Sequence, residues 1–488
     1  MLGRVSPALS EPISKGFIEF IGGPLGRYAA VGTQRWWTPL RVLIVTALTF
    51  LSFGFLAKTN CIQGKRGDSG VTLDWSGNRH LASACYNDIV PLFGGRGLDK
   101  PGFPYAFSWQ EGALTRYMEY PVLGGMFQWL SASISRAFYP LVKMMPGNTI
   151  PDVGFYFMVT AFLMAIMWVL TIRMVVELTG NRIWDTVLVA ASPLVIMHAF
   201  TNWDLPSIFF AVAALWAVKR NHIWWAGVFI GLGTAFKLWP LYLLGAFFIL
   251  AIRSKQFVPF IKMVVAAAAV WVAVNLPVML AYPKAWREFL RLNSERGAEW
   301  TTIYATFTRV TNINFEVSTL NTLSFAGFAI SCLAILIFGL KSKRTPRVAQ
   351  LVALIIIGFL IFNKVYSPQY SLWLIIPLAL AIPNWRLNFS WQVADAMVWP
   401  ILMWHMMGED KLGAPGELLT IAVIARDAFI ITFAVLIIRS MMGIGADKVY
   451  DAHEGRDPLA GPFRMPVQDE YKEPVVEQGV ESVEEARV

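Results

Sequence analysis

The chain has 488 residues, of which 56% are hydrophobic and only 15% charged, with 20 Trp and 34 Phe. Soluble globular domains carry about 25% charged residues, so this composition excludes a soluble domain as the main body and indicates a lipid-facing surface. The net charge of +9 conceals a split, because from Ala446 onward the chain holds 11 acidic and 5 basic residues, which leaves about +15 on the rest.

Residues 1–39 carry Arg4, Lys15, Arg27 and Arg35 with no early apolar core, so they read as a basic cytoplasmic arm rather than a cleaved leader. A membrane span needs about 20 mostly apolar residues. Runs at 40–57, 153–176, 184–200, 204–218, 223–252, 258–281, 320–340, 348–362, 368–383, 391–407 and 417–438 meet or approach that length. The run 223–252 is long enough to break in two around Lys237–Pro240. A weaker run at 122–142 reads as partly inserted or re-entrant, because a full span there would put Arg173 and Arg182 on the outer side. The expectation is an all-α polytopic membrane protein with about 11–13 transmembrane helices across 40–440. No internal repeat is evident.

Lys219-Arg220, Arg253, Lys255, Lys341, Lys343, Arg344 and Arg347 mark cytoplasmic loops. The loops 58–120 and 282–319 then face outward and both termini lie inside. The segment 441–488 reads as an acidic, disordered tail. Residues 85–121, CYNDIVPLFGGRGLDKPGFPYAFSWQEGALTRYMEYP, are too aromatic for a disordered linker and predict short surface helices packed on the membrane face. Cys61 and Cys85 share the first outer loop, where either a bridge or two free thiols is open. Cys332 reads as a core residue within a span.

Charged side chains at membrane depth are costly and mark function. Asp88 suits a general base, although Asp68, Asp74, Asp99, Glu111 and Glu119 compete in the same loop and Asp88 also reads as a helix cap. Asn202 and Asp204 sit at a junction of two spans, where Asp204 reads equally as a cap. Lys237 interrupts an apolar run ahead of Pro240; it either needs an anionic partner such as a phosphate or snorkels to water. In NKVYSPQY, Lys364, Tyr366, Gln369 and Tyr370 bring a cation, aromatic rings and an amide together, a combination that suits a phosphate and a sugar. Asn293 and Arg296 join this set from the second outer loop. His198 and His405 have no metal-ligand spacing, so no metal site is assigned and a divalent ion stays open. No phosphate-binding glycine loop is present, which argues against nucleotide chemistry on a soluble fold.

In this order, YNDIVPLF, YMEYPVLGG, NWDLPSIFF, GVFIGLGTAFKLWPLYLL, NSERGAEW and NKVYSPQYSLW resemble the polyprenyl-phosphate-sugar-dependent glycosyltransferases of the GT-C fold. The nearest resemblance is to glycosyltransferase family 87, which includes actinobacterial mannosyl- and arabinosyltransferases. It implies a GT-C-like bundle, with a sugar moved from a lipid phosphate to a glycolipid or cell-wall glycan at the outer face. Mannose leads over arabinofuranose by the breadth of the family. It implies Asp88 as the base of an inverting displacement. Tyr120 would support the acceptor, and Lys237 and Lys364 would lie near the donor phosphate. Val122 follows Tyr120-Pro121 where the family more often has a second proline. The lipid-linked sugar would be the only co-substrate, with no cofactor and no nucleic acid. A lipid or polysaccharide transporter, and an envelope-assembly scaffold, are the competing readings.

Overall fold

The computed structural model describes residues 5–6, 10–22, 36–68 and 70–467. Helices α1 (Pro12–Gly22), α2 (Pro39–Lys58), α3 (Ile89–Gly95), α4 (Val122–Lys143), α5 (Asp152–Leu178), α6 (Leu205–Lys219), α7 (Ile223–Phe236) and α8 (Leu243–Ser254) form the first half. Helices α9 (Phe257–Ala281), α10 (Pro283–Glu295), α11 (Ile303–Thr311), α12 (Val317–Lys341), α13 (Val348–Phe362), α14 (Leu372–Ala381), α15 (Trp385–Met407) and α16 (Gly416–Met441) form the second. Among the described residues, α2, α5, α9, α12 and α16 are long and apolar enough to cross a membrane individually. This is an all-α polytopic membrane protein. Shorter apolar helices surround broken segments: α7 ends at Phe236, Lys237 is extended, and α8 begins at Leu243. Proline supplies the breaks. Ser192-Pro193 likewise divides the expected span 184–200 into short turns.

Helix α4 covers the run 122–142, which the sequence reads as partly inserted or re-entrant. It is one unbroken helix of 22 residues. Near its start, Gly125 lies against the Tyr105 ring, and near its end Arg136 bonds the Leu98 carbonyl. Just beyond it, the Thr149 carbonyl accepts from Gly64 N. Both ends therefore meet the first loop, and α4 lies along that end of the bundle. Its outward face carries Leu130, Phe138 and Leu141, a pattern that suits the plane of a membrane interface. Helix α5 then runs away from the first loop. Its far end leads to Arg182, which pairs with Asp185 and Glu11, and Glu11 also holds Lys448. Arg182 thus shares the end of the bundle that carries α1 and the start of the C-terminal segment.

The first loop holds two antiparallel hairpins as well as short helices. Strands β1 (Gly64–Gly67) and β2 (Gly70–Leu73) pair Lys65 with Thr72. Strands β3 (Ser108–Glu111) and β4 (Leu114–Tyr117) pair Trp109 with Arg116. Cys61 and Cys85 form a disulfide, which ties the end of α2 to the segment leading into Asp88.

The expected disordered tail from 441 is ordered through residue 467. Residues 448–452 are helical, and Tyr450, Leu459 and Phe463 are buried in the bundle. Asp447 accepts from Val449 N and Tyr450 N and pairs with buried Arg347 at 3.0 Å. That buried pair explains why an acidic, Pro-rich stretch folds back. Residues 468–488 of the expected disordered tail lie outside the described residues, as does most of the N-terminal arm.

Helix α7 packs on α9 through Gly227 and Gly231, a small-residue spacing that lets helix backbones approach. A Cβ at Gly231 would stand 2.5 Å from the Ala267 carbonyl oxygen. Gly231→Leu should therefore destabilise the purified protein by about 1–3 kcal/mol, read as a lowered melting temperature. Gly16→Ala, inside α1 where a Cβ meets nothing within 4 Å, should not destabilise it.

Candidate active site

Asp88 stands at the start of α3 but does not cap it. Asn87 takes that role, its Oδ1 accepting from Val90 N at 3.0 Å. The Asp88 side chain is free to turn inward, and its backbone N–H is anchored on the Thr201 carbonyl at 2.8 Å. Asn202, next in sequence, donates from Nδ2 to Asp88 Oδ2 at 2.7 Å and to the Tyr120 hydroxyl at 3.1 Å. The Asn202 Oδ1 accepts from Lys237 Nζ at 3.3 Å. Lys237 in turn pairs with Asp204 Oδ1 at 2.6 Å. One amide thus links a carboxylate to an ammonium from a distant helix break.

Asp204 does not cap α6 through its side chain either. Its carboxylate is fully buried and also accepts from Trp373 Nε1 at 2.9 Å. A buried carboxylate requires such partners. Trp373 stacks on Tyr370, with ring centroids 4.2 Å apart, and Lys237 Nζ lies 5.5 Å from the centre of the Tyr370 ring. Asp88, Tyr120, Asn202, Asp204, Lys237 and Tyr370 therefore form one cluster at the first-loop end of the bundle.

Burial pushes the Asp88 carboxyl above the usual carboxylate range. Hydrogen bonds from Asn202 and Tyr86 and the Lys237 charge oppose that shift, while Glu299 adds to it. Burial, followed by the Asp88 charge, pushes the Tyr120 phenol well up, so it stays a neutral donor and acceptor. A carboxylate with a raised pKa beside a cation is suited to taking a proton from a hydroxyl while an anionic leaving group departs.

Lys364, Arg296, Tyr366, Gln369 and Asn293 belong to a second assembly. Lys364 Nζ donates to the carbonyls of Arg296 at 2.6 Å and Ser294 at 3.4 Å. Two of its three protons thus hold the backbone at the end of α10 rather than a ligand. Burial, then the Arg296 charge, lowers the Lys364 pKa. Tyr366 is buried, with its hydroxyl 3.0 Å from Ser371 Oγ and its ring 3.7 Å from the Arg426 guanidinium carbon. It is a packing residue, against the expectation of a donor contact. Gln369 is buried on the adjoining turn. Asn293 bonds the Phe289 carbonyl within α10 at 2.7 Å, so it supports that helix and is not brought to Asp88.

Sequence reasoning missed Lys58, Tyr86 and Glu299. Lys58 is 1% exposed, donates to the Tyr86 carbonyl at 3.1 Å and lies within electrostatic reach of Asp88. A lysine at a span end reads as snorkelling; its place three residues before the bridged Cys61 was the available signal. Glu299 acts electrostatically on Asp88, Tyr86 and Tyr370. Beside Tyr120 a cavity of about 200 Å³ opens between α9 and α10, lined by Tyr105, Thr234, Leu238, Trp271, Trp286 and Leu290.

Residues 137–368 match the model of glycosyltransferase family 87. Over that stretch, just under half of its length, the chain is similar to this glycosyltransferase family. The matched stretch contains Asn202, Asp204, Lys237, Arg296 and Lys364. Asp88 lies outside it and is joined to the matched stretch through Thr201 and Asn202. No curated protein matches the chain.

Proposed function

We propose that this protein is a glycosyltransferase that moves a sugar, with mannose favoured, from a polyprenyl-phosphate donor to a glycolipid or cell-wall glycan hydroxyl at the outer face of the cell membrane. Asp88 removes the acceptor proton as the hydroxyl oxygen attacks the anomeric carbon. The bond from that carbon to the phosphate oxygen breaks in the same step, and the configuration inverts. Lys237 stabilises the departing phosphate, aided by Arg296 and by the third proton of Lys364. Tyr120 and Asn202 orient the acceptor hydroxyl and the base.

The observation that carries this reading is the Asp88–Asn202–Lys237 chain, which joins base and cation through one amide. The apolar cavity beside Tyr120 supports a lipid-linked donor, because an isoprenoid tail could remain between α9 and α10 while its phosphate meets Lys237. Both charges would act in a site walled by Trp and Tyr rings, where electrostatic effects are strengthened.

The test supplies wild-type membranes with labelled polyprenyl-phosphate mannose and lipid acceptors. Label appearing on the acceptor is the expected result. Movement of the labelled donor across the bilayer without transfer would overturn the reading in favour of a transporter.

A further inference from the structure

The second outer loop, residues 296–302, is held from below by buried side chains. Arg426, itself fully buried, donates from Nη2 to the Thr301 carbonyl at 2.6 Å. Thr301 Oγ1 donates to the Tyr366 carbonyl at 2.5 Å, and Glu299 N–H to the Lys364 carbonyl at 2.9 Å. Thr302 Oγ1 closes the turn on the Glu299 carbonyl at 2.8 Å. Arg309 Nη1 holds the Trp300 carbonyl at 2.6 Å. With its backbone fixed at this many points, the loop presents two side chains in a defined place. These are Arg296 and Glu299, joined at 3.0 Å and respectively 40% and 21% exposed.

Both charges act on Tyr370, the ring that Lys237 overlies. The Glu299 charge also reaches Asp88 and Tyr86. The geometry agrees: Lys364 Nζ holds the Arg296 carbonyl at 2.6 Å, and the Lys364 carbonyl accepts from Glu299 N–H at 2.9 Å. The Lys364 segment runs on to Tyr370, whose ring lies 5.5 Å from Lys237 Nζ, so the pair sits on the segment that leads to the site cation. An exposed ion pair is worth little, with a median of about 0–1 kcal/mol, whereas a phosphate offers a guanidinium a stronger, two-pronged partner.

We infer that Arg296 and Glu299 are an exchangeable pair: the donor's phosphate takes Arg296, and the freed Glu299 carboxylate then accepts hydrogen bonds from hydroxyls of the acceptor sugar. This rests on the proposed function and adds an order to it, donor before acceptor. It also gives a reason for a carboxylate close to the base. Two negative charges there would keep the acceptor site poor for anions and good for polyhydroxyl groups.

The test titrates purified full-length protein with polyprenyl phosphate alone and then measures both substrate KM values in the transfer assay. Glu299→Gln frees Arg296 without changing side-chain shape, so polyprenyl phosphate should bind about three- to fivefold tighter. The acceptor KM should rise by a similar factor, and Glu299→Asp should restore part of it. A loop that is merely loosened would weaken both substrates. Removing the Glu299 charge should also move the acid limb of the pH profile to lower pH, because that charge raises the Asp88 pKa. The other charged and titratable groups acting on or beside Asp88, namely Lys58, Tyr86, Tyr120, Lys237, Asp204 and Tyr370, are unchanged in this variant. Unchanged or weakened polyprenyl phosphate binding in Glu299→Gln would overturn the exchange. Failure of the wild type to bind polyprenyl phosphate at all would instead overturn the proposed donor.

Discussion

Asp88→Asn is expected to lower kcat for sugar transfer by about 10²–10⁴-fold, the usual contribution of a positioned base, while the donor KM changes little. The asparagine keeps the shape and can still accept from Asn202 Nδ2, and the Thr201 anchor uses the backbone. Folding should therefore be preserved, and the loss should appear in the chemical step. The wild-type pH profile adds a second signature. The base works ionised, and burial raises its pKa. Activity is then full above that raised pKa and falls tenfold per pH unit below it. The fall should begin above the usual carboxylate range and be absent from the residual activity of Asp88→Asn.

Lys237→Met should cost both activity and stability. Its ammonium is the site's link between Asn202 and Asp204. Loss of a cation that meets the departing phosphate is expected to reduce kcat/KM by about 10²–10³-fold. Removal also strands the Asp204 carboxylate, which is fully buried. Breaking a buried pair in this way costs about 3–5 kcal/mol. The double variant Lys237→Met with Asp204→Asn removes the stranded charge, so its melting temperature should recover while its activity stays low. Recovery of activity together with stability would assign Lys237 a purely structural role. In a folded Lys237 variant that lacks the charge, the acid limb of the pH profile should move to higher pH, since the Lys237 charge lowers the Asp88 pKa.

Parts of this site were legible in the sequence for a clear reason. Asp88, Asn202, Asp204 and Lys237 are polar residues at the ends or breaks of apolar runs, where each must have a partner. Which partner it takes cannot be read along the chain. Capping was a fair local reading of Asp204 until Lys237 and Trp373 were seen to hold it from 33 and 169 residues away. Tyr366 looked like a ligand contact because it follows Lys364, but its environment is set by Arg426 on α16. The C-terminal segment looked disordered because Arg347, which folds it back, lies 100 residues upstream of Asp447.

The fold shows the same division. The all-α membrane class follows from long apolar runs, and the break at Lys237 follows from Pro240. The hairpins of the first loop were hidden because β1 and β2 are four residues each and begin with glycine, too short for the Val71/Leu73 alternation to stand out. Helix α4 was ambiguous because an apolar stripe of span length also suits a helix lying in the interface. Its contacts with the first loop, at Gly125 and Arg136, could not be read along the chain.

With Asp88 as the base, sugar transfer is a single displacement at one carboxylate. The anomeric configuration of the transferred sugar, read by NMR of the product from a donor of known configuration, tests that most directly. A product with the opposite configuration to the donor is the result predicted here. A product that retains the donor configuration would require two displacements, and it would contradict the role assigned to Asp88.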